Sequence, residues 1–486
     1  MNEKINYLKY LNIVSLIGFI YFVVLNILGF FNKLNFRHLH IDERIVIMNP
    51  VINVYQKIDY YSRFVDVEPE FLKNILIVVS EIVLGGTLDY GRLYKNLFIL
   101  LAGPFSLISY ESVIVVARLT QFSIVIFLLL YFSKYFIKKE LRFIFILLSL
   151  GMPGAYYIIQ NPKPDSLSLL FFIIGLKKII VDQKLNPGFL YFGISIGIKI
   201  ITIIPIFIFG LTLIYPLKKI QTVTHLFTSF SRIFIGFVIA QPALLLPIPR
   251  IYKRVYYDIS NASNINFQIQ NFEKWMLQLA QEFYLNSYFF YFLVFYSFLF
   301  LMYEIKVNKK IINIYFLLIF IVMFFFICFN VQRTWTYFLF IPYFFLLAFL
   351  FQLDKFKNIF KIIFISAFML IGINGLVLHN NKAFNSGYVV DEYKDSSFFG
   401  AIEFIDSQYN IKKLNYKKIY WDPDYYFPGR GIDYFSDFIV LENWESEYGL
   451  EPLKRNVDFI VTTKIYENIS STSSIKFGEL YVYFNN

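Results

Sequence analysis

The chain has 486 residues, of which 57% are hydrophobic and 16% are charged. A soluble domain usually has about 25% charged residues, so this composition excludes an ordinary soluble protein. It predicts an α-helical polytopic membrane protein. The net charge is +11, and we assign the excess to the Lys and Arg residues that cytoplasmic loops of membrane proteins carry. We expect no nucleic acid partner.

Eleven apolar segments approach the length of about 20 residues that a helix needs to cross a bilayer. We predict spans at residues 13–31, 113–133, 143–159, 166–181, 187–199, 200–215, 233–249, 286–304, 311–329, 335–352 and 360–378. The connections rich in Lys and Arg are residues 133–142, 177–184, 216–220 with Arg232, 306–310 and 354–361. They share one side if the N-terminus is cytoplasmic, which places the C-terminus outside. The richness in Ile, Phe, Asn, Lys and Tyr is typical of an AT-rich genome, so we expect a bacterial cytoplasmic membrane.

A large outer loop, residues 32–112, follows the first span and begins with charged residues. Its HLHIDER stretch contains His40, Asp42, Glu43 and Arg44. A carboxylate at the boundary between water and lipid can have a pKa suited to a general base. A solvated loop with ordinary ion pairs explains the same residues, and the sequence leaves both interpretations open.

Two further stretches of the same loop are apolar, residues 71–84 and 93–109. The second is short and contains Gly103-Pro104, so we predict that both lie on the outer membrane surface and do not cross it. Asp89 precedes Tyr90-Gly91 and is either a site residue or a turn residue.

The long apolar stretch 188–215 contains Lys199 near its middle. A lysine inside the bilayer costs roughly 2.5–3.5 kcal/mol on insertion scales. A single helix here would also place every later basic connection outside. We therefore predict two short helices that meet near the outer surface, with Lys199 at their junction.

Other short outer connections also carry a cation. Lys163 and Asp165 lie in the connection 160–167, and Arg333 follows the ninth predicted span. Each cation taken alone is explained by interfacial anchoring, whereas together they can form one anion pocket at headgroup depth. Asp165 is either part of that pocket or a cap of the following helix.

The C-terminal segment, residues 379–486, is polar and contains strand-like stretches at 437–443, 458–466 and 478–484. We predict a small extracytoplasmic α/β domain after a transmembrane module of residues 1–378. A second outer loop is expected at residues 250–285. The four histidines are too scattered to form a metal cluster. We expect no metal cofactor and keep a divalent metal as the alternative.

Several motifs resemble those of the GT-C membrane glycosyltransferases, which include lipid-linked mannosyltransferases, protein O-mannosyltransferases and aminoarabinose transferases. His-Ile-Asp-Glu at residues 40–43 resembles the HPDE-type signature after the first helix, without its proline. The matching stretches further along are LDYGRLY (88–94), ARL (117–119), NPKPDSLSLL (161–170), GISIGIKIITIIP (193–205) and RTWTYFLFIPYFFLLA (333–348). The resemblance covers roughly residues 10–380.

The resemblance implies a sugar donor linked to polyprenyl phosphate, transferred with inversion to a glycan, lipid or protein acceptor outside the membrane. It assigns Asp42 as the catalytic base, with Glu43 as the second candidate. The donor phosphate would bind Lys199 and Arg333, supported by Lys163 and Arg92. His40, Arg44, Asp89 and Asp165 are secondary candidates.

Two rival functions fit the same composition. A transporter or flippase for lipid-linked sugars usually shows internal repeats and charges at mid-depth in the bilayer, and the sequence shows neither. A polymerase or ligase that acts on lipid-linked sugars also uses cationic outer loops, but the acids after the first span favour the glycosyltransferase.

Overall fold

The computed structural model describes residues 2–31, 92–108, 110–160, 163–214, 223–242, 287–329, 340–352 and 358–381, parts of 401–408, and five strands nearer the C-terminus. The α-helices are α1 Asn2–Phe30, α2 Arg92–Leu101, α3 Tyr110–Phe136, α4 Arg142–Leu150, α5 Ala155–Gln160, α6 Pro164–Ile180, α7 Leu185–Ile198, α8 Ile203–Ile214, α9 Val223–Ala240, α10 Ser287–Tyr303, α11 Ile311–Phe329, α12 Phe340–Phe351 and α13 Asn358–Asn381. Each predicted span overlaps at least one of these helices, so the helical fold class is confirmed.

Two described helical segments, Lys9–Phe30 and Ser112–Phe136, are long and apolar enough to cross a membrane. Shorter apolar helices account for most of the rest of the module. This agrees with the prediction of a membrane protein, whereas the count of eleven crossings stays a prediction.

One predicted span and one predicted basic connection differ from the helices observed. The span 143–159 is broken into α4 and α5, because Gly151-Met152-Pro153-Gly154 lies inside it and Gly154 has a φ of 83°. Arg232, predicted to lie in a basic connection, lies inside α9 instead. The polar residues before it did not stop the helix, since Thr, Ser and His are tolerated in helices that tertiary packing stabilises.

The predicted break at Lys199 is confirmed. Lys199 has an extended backbone, with φ −148° and ψ 112°, and it separates α7 from the 3-10 turn Ile200–Thr202 that precedes α8. The helices before and after α8 run parallel to each other. Gly193 of α7 packs on Ile233 of α9, and Gly197 packs four residues further along both helices, on Phe237 and Ala240. Parallel neighbours require a returning segment between them, and α8 is that segment.

Other contacts fix the direction of more helices. Ser166 of α6 lies beside Gln121 of α3, and Lys177 of α6 lies over the ring of Tyr135, so α3 and α6 run parallel. Helix α1 runs parallel to α4, because Asn12 accepts a hydrogen bond from the Phe143 amide and Gly18 contacts Leu147. Helix α13 has the same direction, because its Gly372 contacts Leu148 of α4 and its Gly375 contacts Gly151. Its His379 is hydrogen-bonded to Asn26 near the end of α1 at 2.7 Å.

Aromatic side chains fill the centre of the helical module. Phe132, Phe145 and Phe344 contact one another with ring centroids 4.7–5.6 Å apart. Phe172 and Tyr315 continue this core toward α7 and α8. Such rings bury a large apolar area, so they hold α3, α4, α6, α11 and α12 together.

The module has two polar ends, which α6 connects. Lys163 and Asp165 lie where α6 begins, and Lys177 and Lys178 lie where it ends, both paired with Asp182. A helix of this length is about 25 Å long. That distance is close to the thickness of a bilayer's hydrocarbon core, about 30 Å. We call the first the site end and the second the basic end.

The C-terminal segment forms a mixed five-stranded sheet with the order β2-β1-β3-β5-β4. Its strands are β1 Lys417–Trp421, β2 Phe438–Leu441, β3 Phe459–Thr462, β4 Thr472–Phe477 and β5 Leu480–Asn485. Strand β1 pairs in parallel with β2 and β3, and Phe404 from a helical stretch packs on the sheet at Phe477 and Phe484. The three predicted strands are confirmed as β2, β3 and β5, and β1 and β4 were not predicted.

Candidate functional site

The start of α6 places two charged side chains inside the protein. Lys163 has an extended backbone and precedes Pro164, whose fixed φ and missing N–H suit the first position of a helix. Asp165 follows in the first turn. Lys163 is 0% exposed and Asp165 is 2% exposed. A chain that buries two ionisable groups at one helix start holds them there through neighbouring charges.

Lys199 supplies the neighbouring charge. Its Nζ lies 3.7 Å from Oδ2 of Asp165, and its side chain is 12% exposed. The break between α7 and α8 makes this contact possible, since the extended backbone turns the chain where α7 ends. The predicted candidates Lys163, Asp165 and Lys199 therefore belong to one cluster, which we call the Lys-Asp-Lys cluster.

Hydroxyl groups fix the break that carries Lys199. Ser168 of α6 donates to the Ser195 carbonyl, and Ser195 of α7 donates to the Ser168 carbonyl, each at 2.8 Å. The Thr202 hydroxyl donates to the Lys199 carbonyl at 2.8 Å. These bonds join α6 to α7 in one register, so the position of Lys199 relative to Asp165 is set by the backbone.

A buried amide connects the cluster to two other helices. Gln121 of α3 accepts a hydrogen bond from the Tyr94 hydroxyl of α2 at 3.1 Å. Its Nε2 donates to the Ile158 carbonyl of α5 and to the Ser166 hydroxyl, the latter at 2.9 Å. Ser166 in turn donates to the Lys163 carbonyl at 3.3 Å. A network of this kind has one geometry in which all its members are satisfied, so it fixes the start of α6.

Helix α2 brings two more cations to this end of the module. It contacts α3, α7 and α9, and it buries Arg92 and Lys95, which are 5% and 2% exposed. Arg118, one turn before Gln121 on α3, is 1% exposed. One face of α2 is therefore buried in protein, while Leu100 and Leu101 stay exposed. That this stretch lies on the outer membrane surface stays a prediction.

The electrostatics of the cluster favour an anion. Burial lowers the pKa of Lys163 well below its usual value, and the charge of Lys199 lowers it further, while Asp165 acts in the opposite direction. An anion beside Lys163 would stabilise its ammonium form. The helix dipole of α6 adds partial positive charge at the same place.

Asp165 does not cap α6 through its side chain. Neither carboxylate oxygen accepts a hydrogen bond from the residues that the structure describes. A capping carboxylate would bond to a free N–H of the first turn. The side chain instead lies beside Lys199, in the cluster. Asp165 therefore does not act as a helix cap, and its only structural role at this position is the favourable interaction of an acid with the helix dipole.

Six of the predicted site residues lie outside the described residues: His40, Asp42, Glu43, Arg44, Asp89 and Arg333. Their assignments stay predictions. Gln121, Lys95 and Arg118 were not predicted as site residues. Arg118 and Gln121 had a visible signal, since polar residues inside an apolar span are costly and mark functional or packing sites. Lys95 had no signal of its own.

No group of three or more His, Cys, Asp or Glu residues that could hold a metal ion occurs in the part of the chain that the structure describes. The expectation of a metal-independent protein stays a prediction. Known protein families and curated protein sequences were compared with the chain, and none of them matches it.

Proposed function

We propose that this protein is a membrane glycosyltransferase of the GT-C type, which transfers a sugar from polyprenyl phosphate to an acceptor outside the cytoplasmic membrane. The observation that carries the proposal is the burial of Lys163 and Asp165 at one end of the helical module, with the partly exposed Lys199 beside them. The resemblance to the family independently assigns both lysines to the donor phosphate.

The surface of the helices supports a membrane location. Helix α1 exposes large apolar side chains along most of its length, among them Ile13 at 45%, Val14 at 63% and Ile17 at 62%. Helix α9 exposes Phe230 and Phe234 in the same way. Apolar area on this scale is unusual for a soluble monomer and suits contact with lipid. With the predicted eleven crossings and the N-terminus inside, the site end would face outside.

The proposed reaction needs a base for the acceptor and cations for the leaving phosphate. The acceptor hydroxyl gives its proton to Asp42 while its oxygen forms a bond to the anomeric carbon of the sugar. The bond between that carbon and the phosphate oxygen breaks, and the polyprenyl phosphate leaves with inversion at the sugar. Lys163 and Lys199 stabilise the phosphate charge, supported by Arg92 and Arg333, so we expect no need for an added metal.

The position of the cluster favours transfer over transport. A carrier that moves a charged headgroup across the membrane usually binds it near the midplane. The Lys-Asp-Lys cluster lies at the start of α6, about 25 Å from the basic end of the same helix. A cluster at one surface suits a reaction at that surface, and it also suits a polymerase or ligase.

The test is sugar transfer by the purified protein in liposomes. Radiolabelled undecaprenyl-phosphate sugars and a membrane extract serve as donor and acceptors. We expect transfer by the wild type, at least a ~100-fold slower rate for Asp42→Asn because general base catalysis contributes about 10²–10⁴-fold, and a slower rate for Lys199→Gln. Lys184→Gln at the basic end is the matched control and should leave the rate unchanged. Movement of the intact donor lipid across the bilayer without transfer would contradict the proposal and favour a flippase.

A further inference from the structure

The Asp165 carboxylate is a buried acceptor that the protein itself does not satisfy. It is 2% exposed, and neither oxygen accepts a hydrogen bond from the described residues. Lys199 Nζ, at 3.7 Å, is within reach of an ion pair but beyond the length of a hydrogen bond. Burial of a carboxylate without hydrogen bonds destabilises the protein, so a ligand that donates a hydrogen bond to Asp165 would stabilise it.

The neighbours of Asp165 have hydroxyl groups, but these groups donate elsewhere. Ser166 donates to the Lys163 carbonyl, and Ser168 donates to the Ser195 carbonyl. Both serines are therefore engaged in holding the helices together. A hydrogen-bond donor for Asp165 is therefore not supplied by either of these two hydroxyl groups.

The charges around Asp165 select the kind of donor. Lys199 lies against the carboxylate, and Lys163 is close enough for the charges of both groups to act on it. The first turn of α6 adds further positive potential. A metal ion or an ammonium group would meet repulsion from the Lys199 ammonium and from the positive end of the α6 dipole. A neutral donor, such as a hydroxyl group, meets none.

We propose that Asp165 determines donor specificity by accepting hydrogen bonds from hydroxyl groups of the sugar, while Lys163 and Lys199 hold the phosphate next to it. This inference rests on the proposed function and assigns Asp165 a role of its own within it. The carboxylate repels the phosphate and accepts hydrogen bonds from the hydroxyl groups of the sugar. The site therefore binds a glycosyl phosphate in preference to other anions. Asp165 thereby contributes to binding of the sugar and not of the lipid phosphate.

The experiment compares binding of the lipid phosphate alone with binding of the same lipid phosphate linked to a sugar. Dissociation constants are measured for undecaprenyl phosphate and for undecaprenyl phosphate linked to mannose, glucose or arabinose. A hydrogen bond to a charged group contributes about 1.5–3 kcal/mol, or roughly 10–100-fold in affinity. We expect Asp165→Asn to weaken binding of the glycosylated lipid by at least ~10-fold, with binding of undecaprenyl phosphate unchanged or tighter. Lys199→Gln should weaken both ligands alike.

A second measurement needs no variant. The singly deoxygenated analogues of the sugar that binds tightest are titrated into the wild type, and at least one should bind at least ~10-fold more weakly than the parent. Equal weakening of both lipids by Asp165→Asn, together with equal affinity for all deoxygenated analogues, would overturn the role of Asp165 but leave the proposed function intact. A wild type that binds neither lipid would overturn both.

Discussion

The Lys199–Asp165 pair gives a direct test of whether the cluster is a coupled unit. We consider Lys199→Gln, which removes one charge of the pair and keeps most of the side-chain volume. Breaking a buried ion pair destabilises a protein by roughly 3–5 kcal/mol. Lys199 is partly exposed, and Lys163 remains near the carboxylate. We therefore expect a loss at the lower end of this range, about 3 kcal/mol in the free energy of unfolding.

The assay is a double-mutant cycle of wild type, Lys199→Gln, Asp165→Asn and the double variant. The free energy of unfolding is measured by titration with a denaturing detergent in mixed micelles. Groups in contact usually show a coupling of about 0.5–3 kcal/mol, so the double variant should be less destabilised than the sum of the single variants. The reference cycle uses Lys177 and Asp182, which lie closer together at 2.7 Å, but the carboxylate of this pair is 21% exposed whereas that of Asp165 is 2% exposed.

Solvent screens the more exposed carboxylate of Asp182 more strongly, so the pair at the basic end should show the smaller coupling although its distance is shorter. Additive effects at Lys199 and Asp165 would refute the reasoning. So would a larger coupling at the basic end, because burial would then not be what makes the Lys-Asp-Lys cluster strong.

Four further predictions follow from the same contacts. Gln121→Leu removes three hydrogen bonds between helices and should destabilise the module by about 2 kcal/mol, at about 0.6 kcal/mol for each bond. Ser133→Ala on the same helix removes only a local hydrogen bond and should have a smaller effect. Gly197→Ala should lower the midpoint of thermal unfolding in detergent, because the new Cβ would lie 2.7 Å from another Cβ, while Gly210→Ala, with nothing within 4 Å, should not. Donor affinity should fall as the pH rises above the lowered pKa of Lys163, since phosphate binding restores the proton of this lysine. Titration calorimetry of the wild type in buffers of different ionisation enthalpy should detect this proton uptake, and Lys163→Gln should not show it. Addition of a chelator should leave the rate of sugar transfer unchanged, and a loss of activity that Mg²⁺ or Mn²⁺ restores would contradict this.

The elements that physical rules constrain strongly were predictable from the sequence. The break at Lys199 followed from the cost of a lysine inside an apolar run and from the sidedness of the basic connections. The strands β2, β3 and β5 followed from apolar and β-branched residues between turn residues.

Other features depended on contacts that a sequence does not show. The polar strand β4, TSSIKF, carries little strand signal and is formed by pairing with β5 at the edge of the sheet. The Gln121 network required knowledge of which helices meet. The cluster itself was predictable only in part, because outer cations could be identified one by one but their distances could not.

Binding of the donor lipid tests the central claim most directly. Titration of undecaprenyl-phosphate sugars into the purified protein should give saturable binding by the wild type. The double variant Lys163→Gln/Lys199→Gln should bind at least ~100-fold more weakly, since each lysine contributes a charged hydrogen bond of about 1.5–3 kcal/mol. Lys138→Gln/Lys139→Gln, at the opposite end of the module, should bind like the wild type. Equal affinity of the three proteins would contradict the assignment of this end of the module to the donor phosphate.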